Sequence, residues 1–320
     1  MARSRGRANS GYAPVVDMPT DYGRPVCFLV GTEADPTDWR SHIHKGIELG
    51  IVLEGEHHTR VGESVVKSRR GDTWLCGMWE AHSWRAAEPG TSIAVVTFLP
   101  EAIDGTVLTS QTWLDMLSVR PEERPTPKSR KDKERVLRFT HDLYEETLER
   151  RPLGQTAKLL GLYRLLLELE RLWTRGAPDR GEAKADAGEY ARLMPALALV
   201  DTARAHRATP GEAASACGLS KSRFHLLFRR AMGTSFAQFC MRARVGFAAH
   251  RLMTSNESLA TIAGELGFVD ASHLHRNFLK HCGCTPHEYR KQHAVSPKSA
   301  QMLAAGSLLL GPDAWELEGR

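Results

Sequence analysis

Two histidines and a glutamate lie close together in the stretch HIHKGIELGIVLEG: His42, His44 and Glu48, with Gly55 seven residues beyond the glutamate. Imidazole and carboxylate groups in combination suit iron, zinc, copper or manganese. On one extended strand His42 and His44 point to the same face, and Glu48 keeps that parity if the strand runs on through Lys45 and Gly46. A second stretch, GDTWLCGMWEAH, puts His82 eleven residues after Gly71 and gathers Trp74 and Trp79, with Trp84 just beyond. Aromatic walls carrying a few polar groups suit a planar or amphipathic small molecule, with Arg85 available for an acidic one. The same tryptophans equally suit a packed core. His42, His44, Glu48, Trp74, Trp79, His82 and Trp84 are therefore the candidate lining of an effector pocket, and the imidazoles with Glu48 are a candidate metal set.

The elements that would hold these groups are short strands. From about residue 24 to 100, Ile47, Leu49, Ile51 and Leu53 alternate with other residues. SVVK, DTWLC and SIAVVTFL follow, separated by glycine-bearing turns such as RRGD. That pattern predicts a small barrel or sandwich. PEERPTPKSRKDKER (121–135) reads as a charged, proline-bearing linker, after which the period becomes helical. In LLGLYRLLLELERLW, Leu162, Leu165, Leu166, Leu169, Leu172 and Trp173 form one stripe at helical spacing. It suits either a core helix against the barrel or a subunit contact. GAPDRGEAKADAG (176–188) reads as a second linker, and residues 1–20 and 294–320 as a basic mobile arm and a C-terminal extension of no evident role.

Composition excludes several classes. Hydrophobic residues at 42% and charged residues at 25% are ordinary for globular chains. No apolar run approaches the roughly 18–20 residues needed to span a bilayer. The arginines at 3, 5 and 7 are followed by no apolar segment, so a secretory signal is not expected. Six scattered cysteines fit a reducing compartment, and a cytoplasmic protein without membrane association is expected. The net charge of +5 is unevenly spread: residues 196–293 hold thirteen Lys/Arg against six Asp/Glu, whereas the remainder is nearly balanced. A basic domain joined to a near-neutral one suggests polyanion binding at one end.

Two crossed helices need a small residue where they approach and a glycine where the chain reverses. GEAASACGLSKSRFHLLF supplies Ala214 four residues before Gly218, with Ser220 as the N-cap of the second helix. TIAGELGFVDASHLHRNF repeats the arrangement with Ala263, Gly267 and the cap Asp270, and its turn is one residue longer. Between them SFAQFCMRARVGFAAHRLM predicts one continuous helix opened by a Ser235–Gln238 capping box. About 18 residues of helix span roughly 27 Å, which with the flanking half-motifs would place two recognition helices about one DNA turn apart. Thr285-Pro286-x-Glu288 starts a short closing helix.

The segment GELGFVDASHLHRNFLKHCGCTPHEYRK resembles the signature of the AraC/XylS family of bacterial transcriptional regulators. The likeness covers about residues 195–293. It implies two helix-turn-helix units joined by a helix, sequence-specific binding of double-stranded DNA, and activation or repression through RNA polymerase. By position, Lys221, Ser222, Arg223 and His225 in the first unit, and Ala271, Ser272, His273, His275 and Arg276 in the second, are the expected DNA-binding residues. Leu226 stands where the family often has an arginine. His281-Cys282-x-Cys284 fills structural positions around Gly283 rather than a metal site.

The spacings around His42 and His82 resemble the two cupin motifs over about residues 38–98. Pro36, Gly77, Trp79 and Ala86 depart from that pattern at turn positions. Together the resemblances imply an α+β chain: a cupin-like β-barrel at 21–115, linkers and a helical dimerisation segment at 116–189, and a tandem helix-turn-helix domain at 190–293. Three readings stand open: a homodimeric regulator whose barrel takes a small-molecule effector, a metal-dependent cupin enzyme fused to a DNA-binding domain, or a regulator whose barrel only dimerises. The first is expected, without catalytic residues, metal or other cofactor.

Overall fold

A computed structural model describes residues 26–103, 116–148, 152–176, 192–200 and 208–293. The basic arm, the linker from 177 to 188 and the C-terminal extension lie outside the described residues. Eight strands come first: β1 (Val26–Glu33), β2 (Arg40–His42), β3 (Ile47–Glu54), β4 (Glu56–Val61), β5 (Ser64–Arg69), β6 (Thr73–Cys76), β7 (His82–Ala86) and β8 (Thr91–Phe98). They form two antiparallel four-stranded sheets, ordered β1-β8-β3-β6 and β2-β7-β4-β5. Among the described residues the two sheets are not joined by strand hydrogen bonds, and a β domain followed by a helical one is the expected α+β order.

One expectation is overturned at its premise. His42 and Glu48 do not share a strand, because the chain leaves β2 after His42 and re-enters the other sheet at Ile47. Parity therefore does not relate them.

β3 is buried along most of its length because both of its faces are covered. Ile47, Leu49 and Ile51 pack outward into a core shared with the helices, whereas Val52 faces the inter-sheet cluster of Trp74, Cys76, Ile93 and Val95. Gly50 is required here, since a Cβ at that position would stand 1.9 Å from the Trp74 ring.

Two long helices follow, α1 (Arg130–Leu148) and α2 (Gly154–Gly176), packed on each other and on β1. In the anticipated stripe of α2, Leu162, Leu165, Leu166 and Leu169 are buried, with Leu172 and Trp173 half-buried. That stripe is core. The segment read as a linker from 121 to 135 is largely structured: a 3-10 turn occupies Pro121–Glu123 and α1 begins at Arg130. Its Arg124 is buried, donating to the Leu75 carbonyl at 2.7 Å and making a two-pronged pair with Glu80 at 2.7 and 2.8 Å.

The other helices among the described residues are α3 (Met194–Val200), α4 (Pro210–Ala216), α5 (Lys221–Met232), α6 (Phe236–Thr254), α7 (Leu259–Glu265), α8 (Ala271–Cys282) and α9 (Pro286–His293). Their core is continuous with that of the sheets, running from Val26 to Tyr289.

Candidate nucleic-acid interface and imidazole cluster

In the first unit, Thr209 and Glu212 close a capping box at the start of α4, and Gly218 reverses the chain at φ +63°. The Ser220 hydroxyl accepts the Arg223 N–H at 3.3 Å and starts α5. Phe224, Leu227, Phe228 and Ala231 are buried, which turns Lys221, Ser222, Arg223 and His225 outward, all exposed. Leu226 shares that outward face and is 63% exposed.

The second unit repeats the design with one added residue. The N-cap Asp270 stands three residues after Gly267, whereas Ser220 stands two after Gly218. The addition is Val269, 86% exposed. Asp270 accepts the His273 N–H at 2.6 Å. Leu274, Phe278 and Cys282 face inward; Ser272 and Arg276 are exposed, with Ala271, His273 and His275 half-buried. His273 is partly committed to the turn: its Nδ1 accepts the Val269 N–H at 3.3 Å, and its ring lies 5.6 Å from Phe268.

Helix α6 opens with the anticipated Ser235–Gln238 box and binds both units. Toward the first unit, Phe236 meets Phe224 and Phe228 at 5.4 and 5.2 Å between ring centres, and Phe239 meets Phe228 at 5.5 Å. Toward the second, Arg244 donates to the carbonyls of Leu266 and Gly267 and lies 4.2 Å from the centre of the Phe268 ring. Arg251 pairs with Glu257 and Glu265, and Arg290 returns from α9 to the carbonyls of Leu252 and Glu257. None of these arginines was visible as a positioning group in the sequence, because their partners are up to 38 residues away.

Between the sheets, His42, His44, Glu48, Trp74, His82 and Trp84 are all buried. Three of them converge: ligand atoms of His44, Glu48 and His82 lie within 4.8 Å of one another. His44 Nδ1 faces the Gly46 carbonyl at 2.9 Å and His82 Nδ1 faces the Glu80 carbonyl at 2.9 Å, so each Nδ1 carries a proton. Each Nε2 then points at Glu48 Oε2, at 3.2 and 3.4 Å. Two lone pairs aimed at one carboxylate oxygen are relieved either by a proton on each Nε2 or by one divalent cation shared among the three groups. Orienting carbonyls behind the imidazoles are also what metal-ligating histidines use, and two imidazoles with one carboxylate fit such an ion. Without metal, burial opposes ionisation at both groups. It is overcome: the His82 charge and hydrogen bonds hold Glu48 well below the usual carboxylate range, and Glu48 with the neighbouring Cys76 holds His82 well above the usual imidazole range.

The other candidates fall around this triad. Trp74 Nε1 donates to Glu48 Oε1 at 2.9 Å. His42 is stacked beside His82 at 5.9 Å, but its Nε2 accepts Trp84 Nε1–H at 2.9 Å, which takes it out of the converging set. Trp79 points away, toward α6, with its ring 5.1 Å from Phe247. Arg85 donates to His58 Nδ1 at 3.2 Å. An unanticipated member is His57, fully buried against Trp74 at 4.2 Å and Trp84 at 5.7 Å. Among the described residues its Nε2 has no hydrogen-bond partner, and burial drives its pKa down to about 3. One of two adjacent histidines within a strand carries no sequence signal for such a position.

Residues 213–292 match a family of helix-turn-helix domains. The transcriptional activator NphR of Rhodococcus sp is 37% identical over 86 residues, 27% of this chain and 25% of that protein. A provisionally named AraC-like transcription regulator of Streptomyces antibioticus is 28% identical over 127 residues, 40% of this chain and 42% of that one. The chain thus spans less than half the length of these curated relatives. Among solved structures, ToxT from Vibrio cholerae O395 is similar in fold at a TM-score of 0.51 and 10% identity, over 85% of this chain and 99% of that one. A ToxT structure bound to (E)-4-(8-methylnaphthalen-1-yl)but-3-enoic acid has a TM-score of 0.50 at 11% identity, over 84% and 98% of the two chains.

Proposed function

From the AraC-type helix-turn-helix domain at residues 213–292, we propose that the chain is a sequence-specific transcriptional regulator whose N-terminal two-sheet domain answers to a small molecule. The observation that carries this reading is the pair of capped units whose basic and polar helix starts face outward on either side of one α6. Arg276, Ser272 and His275 read or grip one major groove, and Lys221, Ser222, Arg223 and His225 the next, with Ala271 and His273 at the edge of the contact. RNA polymerase is the partner through which such a protein acts, and activation is the sign favoured by the activator names of its relatives. The protein works as a cytoplasmic homodimer and catalyses no reaction. Leu160 and Leu167, exposed one heptad apart on α2, supply an apolar strip for the second copy. The fold shared with a ToxT that holds an arylbutenoic acid supports an organic acid as the class of effector.

Genomic footprinting tests the central claim. A recurring site with two halves about 10 base pairs apart is expected, and protection without sequence preference would refute the regulator reading. Elemental analysis of protein purified without chelator or added metal tests the cluster. We assign the positive charge facing Glu48 to protonated imidazole rather than to a metal ion. Stoichiometric metal that disappears in a His44→Ala/His82→Ala variant would overturn that assignment.

A further inference from the structure

The contact between the two-sheet domain and the DNA-binding domain is keyed. Loop 77–81 between β6 and β7 carries Trp79 at φ +52°, a left-handed conformation that disfavours any residue with a side chain. Its N–H donates to the His44 carbonyl at 2.9 Å. The indole lies over Gly246 in the middle of α6, where a Cβ would meet Cζ3 at 2.4 Å, with Ile43 next at 3.6 Å. Glycine inside a helix is unfavourable in its own right, so two locally disfavoured residues meet at one contact. Around it, Ser41 Oγ donates to the Cys282 carbonyl at the end of α8 at 2.8 Å, and the His42 and His293 rings meet edge to face at 5.5 Å. The pair between buried Arg124 and half-buried Glu80 braces the loop from behind.

The geometry points to Trp79 and Gly246 as a knob and hole that latch the DNA-binding domain to the two-sheet domain, and to loop 77–81 as the route from the imidazole cluster to the recognition helices. The loop is tied to the cluster twice, by Trp79 N–H on the His44 carbonyl and by His82 Nδ1–H on the Glu80 carbonyl. A change that displaces either imidazole therefore moves the knob. The knob bears on α6, the helix that spaces the two units. The latch grips the Cys282 end of α8 and leaves residues 271–276 at its other end. Trp79 is thus a positioning residue. The routing half of this inference rests on the sensor reading, whereas the docking half stands without it.

Hydrogen–deuterium exchange on the full chain, without DNA, separates the two. Gly246→Ala favours helix by propensity, so a merely structural glycine predicts unchanged or slower exchange. The latch predicts exchange faster by roughly tenfold or more in peptides covering 40–44, 77–82 and 282–293, with 224–232 unchanged. Trp79→Ala, which only removes atoms, is expected to give the same local pattern, and Gly246→Ala added to it should have no further effect. An additive effect, a uniform rise in both single variants, or no change in either would overturn the latch. His82→Ala is expected to raise exchange in 240–250, although His82 does not lie on α6; no change there would overturn the routing. Because DNA is absent throughout, failure of the footprint would leave these results standing.

Discussion

Acid should destabilise this protein before its carboxylates begin to protonate, and His57 is a principal reason. The ring is fully buried between Trp74 and Trp84, and burial lowers its pKa to about 3. Burial likewise takes His293, opposed by the backbone of Ser41, down to about 4. Both are neutral in the fold, while the unfolded chain takes up protons from about pH 6.5 downward. The unfolded state then binds more protons, so stability falls as pH falls, from about 6.5 until each folded pKa is passed. At pH 5 the gap from the unfolded pKa is about 1.5 units, or roughly 2 kcal/mol for each ring. Glu48 and His82 do not contribute in this window. A lowered carboxylate keeps its stabilisation above its unfolded pKa, and a raised histidine keeps its own below 6.5. Urea unfolding at pH 7, 6 and 5 measures the drop, and His57→Phe, which keeps an aromatic ring in the stack, should abolish about 2 kcal/mol of it. An undiminished pH dependence in that variant would refute the assignment of a buried neutral imidazole.

Three further outcomes are expected. Arg276→Ala should weaken binding to a footprinted site by about 1–3 kcal/mol if Arg276 reads a base; equal weakening on random DNA, measured by fluorescence anisotropy, would make it a phosphate contact. Leu226→Arg should steepen the dependence of log Kd on log salt by about 1 if the exposed face of α5 lies on the phosphates, and an unchanged slope in a salt titration would place that face elsewhere. Glu80→Ala strips the partner from Arg124, whose side chain is 4% exposed, and should cost about 3–5 kcal/mol in denaturant unfolding. Adding Arg124→Met should recover much of that loss, and no recovery would mean that the pair contributes more than charge compensation.

The helical domain was largely legible in the sequence because its signals are local. Caps, reversing glycines and apolar spacing lie within a turn of one another, and even the added residue in the second turn, Val269, shows in the spacing from Gly267 to Asp270. The N-terminal site was legible in part. His44, Glu48 and His82 do converge, but not by strand parity, because a sheet change between His42 and Ile47 intervenes. What brings them together is register, Glu48 opposite Cys76 and His42 opposite His82, which depends on pairings between distant strands. Trp79 was misplaced for a similar reason. Its spacing from Trp74 and Trp84 suggested a shared wall, but the left-handed backbone at that residue sends the ring to the other domain. The docking of Arg124 is not legible because a charged stretch containing prolines has the same composition whether it is solvated or docked, and its partner Glu80 lies 44 residues away.

Arg244, Arg251 and Arg290 fasten α6 to the second unit through main-chain carbonyls and carboxylates, and a cluster of phenylalanines fastens it to the first. A spacer held this firmly at both ends has little freedom to adjust to its target. Any mismatch between the reach of the protein and the pitch of the duplex must then be absorbed by the DNA, through bending or a change of twist between the two grooves. If the two units read successive grooves as proposed, the base pairs between them would touch no side chain, yet their stiffness would enter the energy of the complex. Operator strength should therefore vary with the sequence of the untouched middle, with flexible pyrimidine–purine steps and stiff A-tracts ranking apart even when both read halves are identical.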